Sequence, residues 1–263
     1  MKFLLVYVAF STASLGLLTE ASAEGIDISL GASSVRDPLL LYRFPEKPSR
    51  DSMRFSSGGL LIDQPADSNA REPDVVGFKV ASSIRGDFEF SLDVECLKLT
   101  QPESGWGHGL VTKLVFAADD KPLVSMGCIS TPRFEKAYRV TIESGAEKPT
   151  FKTDPCTFKS GVWNVARSGS EIVFSVKENG VATEIHRSDY TNAELLEVQV
   201  WANRLPKDNG HAKFLLKSLT LSGDEFFARS EVTRSHFGMW APFFIAASTC
   251  LLLVVVYVVR RRQ

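Results

Sequence analysis

The chain has 263 residues, in which 30 Lys and Arg side chains nearly balance 31 Asp and Glu side chains. This balance disfavours a nucleic-acid-binding protein, because such proteins usually carry a clear excess of basic residues. Four cysteines are too few for a disulfide-dense scaffold, and the sequence contains neither a CxxC pair nor an HExxH motif. We therefore predict no metal site and no cofactor.

The first 23 residues have the layout of a secretory signal peptide. A basic start at Lys2 precedes an apolar run, and Ala21 and Ala23 fit the A-x-A pattern that signal peptidase cleaves. We expect the mature chain to begin at Glu24, with an uncleaved membrane anchor as the alternative.

The segment Met239–Val259 contains no charged residue and, at a helical rise of about 1.5 Å per residue, spans about 31 Å. This length predicts a transmembrane helix rather than a buried helix of a soluble core. Trp240 would lie at the membrane interface, and three arginines follow the span in a short tail, residues 260–263, as expected on the cytoplasmic side. The pattern predicts a type I single-pass protein of the cell membrane, with its large segment extracytoplasmic, either periplasmic or extracellular.

The region between the two ends reads almost entirely as β-strands. Short runs alternate apolar and polar residues and are separated by clusters of Gly, Pro, Asn and Asp, which is typical of half-buried strands joined by turns. The candidates are Gly59–Ile62, Val75–Val80, Asp87–Leu97, Val111–Ala117, Leu123–Ile129, Tyr138–Glu143, Val162–Arg167, Ile172–Val176, Ala193–Trp201 and Phe214–Leu221. Ten short strands predict an all-β sandwich or barrel.

Composition divides this region into three parts. We predict an N-terminal extension at 24–51, a single β domain at 52–222 and a juxtamembrane stalk at 223–238. Ser-, Pro- and charge-rich stretches at 46–59 and 64–73 are predicted to be loops, as is the stretch Thr100–Gly109.

The clearest strand, Asp87–Leu97, predicts one face in the core and one in water. Its alternation breaks at the end, where Leu97 falls on the polar side, so the strand either stops there or contains a bulge. The predicted core residues are Phe88, Phe90, Leu92, Val94 and Cys96.

A later segment predicts a β-hairpin and carries a family resemblance. In Gly161–Gly180 a Trp-led strand ends at Arg167, turns at Ser168-Gly169 and continues as a second strand to a turn at Asn179-Gly180. This hairpin resembles one in the concanavalin A-like lectin/glucanase superfamily. Further similar strands are Gly59-Leu-Leu-Ile, Val76-Gly-Phe, Arg85-Gly-Asp-Phe-Glu-Phe, Leu195–Asn203 and Phe214–Leu221.

The resemblance covers roughly residues 52–222 and implies a jelly-roll sandwich of two antiparallel sheets. It also implies a protein that binds or cleaves glycans or acts in adhesion, as members of the superfamily do. The superfamily's glucanases carry a Glu-x-Asp-x-(x)-Glu arrangement on one strand. Here Ser91 stands two residues before Asp93, where that arrangement has its nucleophilic Glu.

Asp93 and Glu95 are the acid pair that the sequence offers for glycoside hydrolysis, because retaining glycosidases need two carboxylates about 5 Å apart. They share a predicted strand face with Glu89. The alternative is that all three belong to an ordinary solvated acidic face.

A sugar-binding site is predicted on the strand that contains Trp201. Alternation places Gln199, Trp201 and Asn203 on one face, with Glu197, and an exposed indole flanked by amides suits glycan recognition. The alternative is that the Thr100–Gly109 loop covers the indole. The opposite, core-facing residues are predicted to be Leu196, Val198, Val200 and Ala202.

Three cysteines fall within the predicted domain, so at most one pair can form a disulfide there. We favour Cys128 with Cys156, and the alternative is that these two and Cys96 are free thiols that pack as small apolar residues.

The sequence thus predicts a membrane-anchored extracytoplasmic recognition module that binds a glycan or an envelope protein without catalysis. A glycoside hydrolase using the acid pair and a structural cell-envelope protein are the alternatives.

Overall fold

The computed structural model describes residues 24–31, 41–44, 52–66, 74–80, 82–105, 107–117, 123–143, 150–204 and 209–228. The predicted signal peptide, transmembrane helix and cytoplasmic tail lie outside these residues. No helix among the described residues is long and apolar enough to cross a membrane.

The described chain is all-β, as predicted, and its strands pair antiparallel throughout. All ten predicted strands are present with slightly different ends, and five others join them. The strands are β1 (Glu24–Ser29), β2 (Leu41–Phe44), β3 (Met53–Ser56), β4 (Gly59–Gln64), β5 (Asp74–Val80), β6 (Ser82–Leu99), β7 (His108–Phe116), β8 (Leu123–Thr131), β9 (Phe134–Glu143), β10 (Thr150–Pro155), β11 (Ser160–Ser168), β12 (Glu171–Glu178), β13 (Val181–Asp189), β14 (Leu195–Arg204) and β15 (Ala212–Ala228).

The strand pairing forms two layers. Layer A has the order β10-β9-β8-β7-β14-β5-β2, and layer B has the order β3-β4-β15-β6-β11-β12-β13, with β1 also paired to β15. The pair Leu195–Ile84 joins β14 to β6 and so links the two layers. This large antiparallel arrangement is consistent with a jelly roll.

The inner faces of both layers pack into one hydrophobic core. Fully buried side chains such as Trp163 of layer B and Phe78 of layer A belong to the same cluster. The rings of Phe88 and Phe116, one from each layer, lie with centroids 6.2 Å apart. Contacts of this kind between the layers indicate a sandwich rather than an open sheet.

A buried arginine also ties the layers together. The Arg167 side chain is only 3% exposed, and its guanidinium donates to the carbonyl oxygens of Gly86 on β6 and Ala193 before β14. The same group lies 4.9 Å from the Phe88 ring centroid and 5.6 Å from that of Phe116. Burial lowers the pKa of this guanidinium. Because Arg167 contacts both layers, we expect it to be a main determinant of the stability of the fold.

Local predictions for β6 and the hairpin are confirmed, except that the first turn lies at Gly169-Ser170, one residue later than predicted. Phe88, Phe90, Leu92 and Val94 are buried, and β6 continues past a bulge at Leu97, which is 46% exposed, with Cys96 only partly buried. In the tight turn between β12 and β13, Asn179 and Gly180 both have positive φ, the geometry that Asn-Gly favours in a two-residue hairpin.

Three sequence predictions are corrected by the pairing. The segment predicted as an N-terminal extension contains β1, which pairs with β15. Strand β3 lies within the stretch predicted as a loop at 46–59. Strand β15 continues to Ala228, so residues 223–228 belong to the sheet rather than to a stalk.

Candidate functional site

Strand β14 presents a polar face on the outside of layer A. Val198, Val200 and Ala202 are buried in the core, and the residues between them are half-buried on the opposite face. Leu196 is the exception to the prediction. A register shift after Leu195 moves Leu195 into the core and leaves Leu196 only partly buried.

A groove of about 240 Å³ lies on this outer face of layer A, across β14, β7, β8 and β9. Trp201 and Asn203, two of the predicted ligand-binding residues, line it. The remaining lining residues are Val111, Lys113, Leu123, Ser125, Gly127, Ile129, Arg139, Thr141 and Glu143.

The Trp201 indole forms one side of the groove. It is half-buried, and the stretch predicted as a loop at Thr100–Gly109 gives way to β7 at His108. The Lys113 ammonium lies 5.8 Å from the ring centroid, a cation–π contact from the neighbouring strand β7. A partly exposed indole held in this way has an apolar ring face against which a sugar could pack.

Two buried polar atoms in the groove have no hydrogen-bond partner among the described residues. They are Oδ1 of Asn203 and Nε of Arg139. Buried polar groups are nearly always paired, and leaving one unpaired costs free energy. Burial lowers the pKa of the Arg139 guanidinium, which nevertheless stays protonated because arginine is so basic. Both atoms are therefore candidates for contact with a ligand.

Gln199, the third predicted ligand-binding residue, lies beside the groove rather than lining it. Its side-chain Nε2 donates to Glu197, whose carboxylate also forms an ion pair with Lys79 at 3.1 Å. The Gln199 amide is thus already hydrogen-bonded, on the side of the site next to β5.

The acidic candidates Asp93 and Glu95 lie on the outer face of layer B, away from Trp201. Glu95 forms a 3.0 Å ion pair with Lys217, and the neighbouring Glu89 accepts a 2.6 Å hydrogen bond from Asn164. The predicted acidic face therefore does not contribute to the groove in layer A.

The outer face of layer A has carboxylates at Glu197 and Glu143, but they are far apart. The pairing places Glu197 opposite Val115, Val115 opposite Leu123, and Leu123 opposite Glu143. Three strand spacings of about 4.8 Å separate the two backbones by roughly 14 Å. Glycosidases hold their two carboxyl groups about 5 to 9.5 Å apart, and of these two carboxylates Glu197 is already bound by Lys79 and Gln199.

Sequence reasoning missed Arg139 and Lys113 as site residues. Both residues lie on strands that the sequence predicts, Tyr138–Glu143 and Val111–Ala117. Their proximity to Trp201 depends on the order β9-β8-β7-β14, in which β14 joins β7 from much later in the chain.

In the structure Cys128 and Cys156, the pair predicted to form a disulfide, are free thiols that lie next to each other. A hydrogen bond from the Cys128 thiol to Cys156, together with burial, raises the pKa of Cys128. The same hydrogen bond lowers the pKa of Cys156, which is partly exposed while Cys128 is fully buried. Cys156 is thus the better nucleophile of the two.

We expect Cys128 and Cys156 to become linked when the full-length protein is oxidised with glutathione disulfide. Cys156 attacks one glutathione sulfur, glutathione leaves as a thiol, and Cys128 then displaces the second glutathione with loss of its proton. After denaturation, alkylation should label two of the four cysteines, and the bridge should stabilise the fold by about 2–4 kcal/mol. Cys96→Ala should retain the link and Cys156→Ala should lose it. Labelling of all four cysteines would contradict the pairing.

Across the part of the chain that the structure describes, no three His, Cys, Asp or Glu side chains converge to hold a metal ion.

Comparisons with known proteins relate this chain to others through its fold. No protein-family model matches it, and no curated protein does either. Among solved structures, one described as "Prominent members of the human gut microbiota express endo-acting O-glycanases to initiate mucin breakdown" has a TM-score of 0.57 at 12% identity, covering 75% of this chain and 98% of that one.

Two further solved structures are similar. A putative beta-glucanase from Mycobacterium abscessus has a TM-score of 0.50 at 11% identity, over 74% of this chain and 98% of that one. A legume lectin-like domain from Entamoeba histolytica has a TM-score of 0.50 at 8% identity, over 77% of this chain and 97% of that one. At such identities the likeness concerns the fold, which lectin-like and glucanase-like proteins share.

Proposed function

We propose that this protein is a glycan-binding module of the concanavalin A-like superfamily that holds its ligand in the layer A groove without cleaving it. The observation that carries the proposal is the half-buried Trp201 beside Asn203, whose buried Oδ1 has no partner among the described residues. An aromatic ring and nearby unsatisfied polar atoms are what a sugar needs, because it offers an apolar ring face and many hydroxyl groups.

The arrangement of carboxylates favours binding over hydrolysis. The backbones of Glu143 and Glu197 are roughly 14 Å apart across three strand spacings, and Glu197 is already paired with Lys79. Asp93 and Glu95 lie on the other layer, where Lys217 neutralises Glu95. A solvated acidic face accounts for these residues more simply than an active site does.

A glycan array probed with the full-length protein tests the proposal. Binding to a defined group of glycans is expected, and a flat array would contradict it and would favour a structural envelope role or a protein partner. Incubation with each bound glycan tests the hydrolase alternative. Release of reducing ends would overturn the non-catalytic proposal, and its loss in the double variant Asp93→Asn, Glu95→Gln would assign the cleavage to that acid pair.

We further propose that the module faces outward from a cell membrane, anchored by Met239–Val259 after removal of residues 1–23. The supporting observations are the uncharged run of membrane-spanning length, the three arginines behind it and the A-x-A pattern ahead of Glu24. We expect the protein to stay in the membrane pellet after an alkaline carbonate wash and to have Glu24 as its first residue. Release into the supernatant would contradict the anchor.

A further inference from the structure

The charges in the groove indicate which class of glycan it takes, an inference that rests on the proposed glycan-binding function. Two cationic side chains, Lys113 on β7 and Arg139 on β9, line the groove, whereas Glu143 is the one acidic residue among its described lining residues. Because the Glu197 and Lys79 charges at its edge compensate each other, the described groove has a net positive charge.

Arg139 has no acidic partner on the strands around it. Glu143 lies four residues further along the same strand, about 14 Å away at 3.4 Å per residue. The residues opposite Arg139 on the two neighbouring strands are Gly127 on β8 and Thr153 on β10. A partly buried guanidinium with an unpaired Nε is costly unless an anion pairs with it.

Between the two cationic side chains the groove is lined by small residues. These residues are Ser125 and Gly127 of strand β8. A side chain at position 127 would clash with the backbone, because a Cβ there would come within 2.6 Å of the Leu110 carbonyl oxygen. Cross-strand pairing aligns Trp201, Val111, Gly127 and Arg139 in one row across β14, β7, β8 and β9. The backbones of Trp201 and Arg139 are therefore roughly 14 Å apart. A ligand spanning this row would contact the indole at one end and the guanidinium at the other.

We propose that the groove binds an acidic glycan, with one sugar ring packed on Trp201 and an anionic substituent, a carboxylate or a sulfate ester, held by Arg139. Arginine suits this role because its planar fork can donate two parallel hydrogen bonds to either group. Lys113 adds a second positive charge next to the ring that carries the sugar.

The test compares binding of the full-length protein to matched glycans on one array. The array should carry oligogalacturonate and its methyl ester, sialylated and asialo forms of one oligosaccharide, and sulfated and unsulfated forms of another. We expect one acidic member to bind at least about tenfold more tightly than its neutral partner, as for one charge-assisted contact. The carboxylated and sulfated pairs on the array also distinguish carboxylate recognition from sulfate recognition.

Arg139→Gln should reduce this acidic-to-neutral ratio to near one while the neutral form binds as before. Arg133→Gln is the matched control, because it removes one positive charge from an exposed residue that packs against Phe134 outside the groove. A merely structural role for Arg139 would weaken both forms equally and would overturn the inference. Tight binding of neutral glycans only, lost in Trp201→Ala, would overturn the acidic preference and leave the proposed function intact. A flat array would contradict both.

Discussion

Replacing Trp201 with alanine should weaken binding of the protein's best glycan by roughly 30-fold or more. The indole is the one aromatic side chain among the described residues that line the groove, and truncating a central tryptophan at a binding site typically costs about 2 kcal/mol or more. Isothermal titration of the full-length protein with a glycan selected from the array would measure the change.

Three control variants make this result specific. Trp201→Phe should retain part of the affinity, because a smaller ring still packs against a sugar. The double variant Asp93→Asn, Glu95→Gln should bind as the wild type does, because these carboxylates belong to layer B. Glu197→Gln should have little effect, because Glu197 lies at the edge beside Lys79. Unchanged binding in Trp201→Ala, with an unchanged melting temperature, would exclude the groove as the binding site.

Replacing Arg167 with alanine should lower the free energy of unfolding by about 3 kcal/mol or more. The carbonyl oxygens of Gly86 and Ala193 would both lose their donor, at about 1–3 kcal/mol for each buried unsatisfied group. The space that the guanidinium fills beside the Phe88 and Phe116 rings would also empty, which adds the cost of a cavity.

Urea unfolding followed by circular dichroism measures this loss as a lower midpoint at an unchanged slope. Arg167→Met should be intermediate, because it fills the space but donates no hydrogen bond. Arg187→Ala is the matched control, since Arg187 is exposed and pairs with Glu171 and Glu184 on the surface, where a pair contributes less than about 1 kcal/mol. Equal midpoints for Arg167→Ala and Arg187→Ala would show that Arg167 does not hold the two layers together.

Strands with one buried face could be predicted from the sequence, whereas strands at the edges could not. Strand β14 alternates strictly from Glu197 onward because its core side is fully buried. Strand β13 was missed because it pairs with β12 alone and leaves four consecutive residues from Val181 exposed, so it has no apolar face. Strand β1 has only Ile26 and Ile28 to mark it, and its partner lies at the far end of the chain.

The site could be predicted only in part, for a related reason. Alternation identified the outward face of Trp201, and this depends on local sequence alone. The proximity of Arg139 depends on pairing between strands distant in sequence, as does the separation of Asp93 from Trp201 into different layers. Residue patterns say which side of a strand faces water, but not which strands share that side.

Chemical-shift mapping would show whether the layer A groove is the binding site. The array-selected glycan would be titrated into isotope-labelled full-length protein, and the amide shifts assigned to strands. We expect shifts that saturate on β14, β7, β8 and β9, centred on Trp201, Gly127 and Arg139. Saturating shifts centred instead on the outer face of β6 and β11, around Asp93 and Glu95, would contradict it.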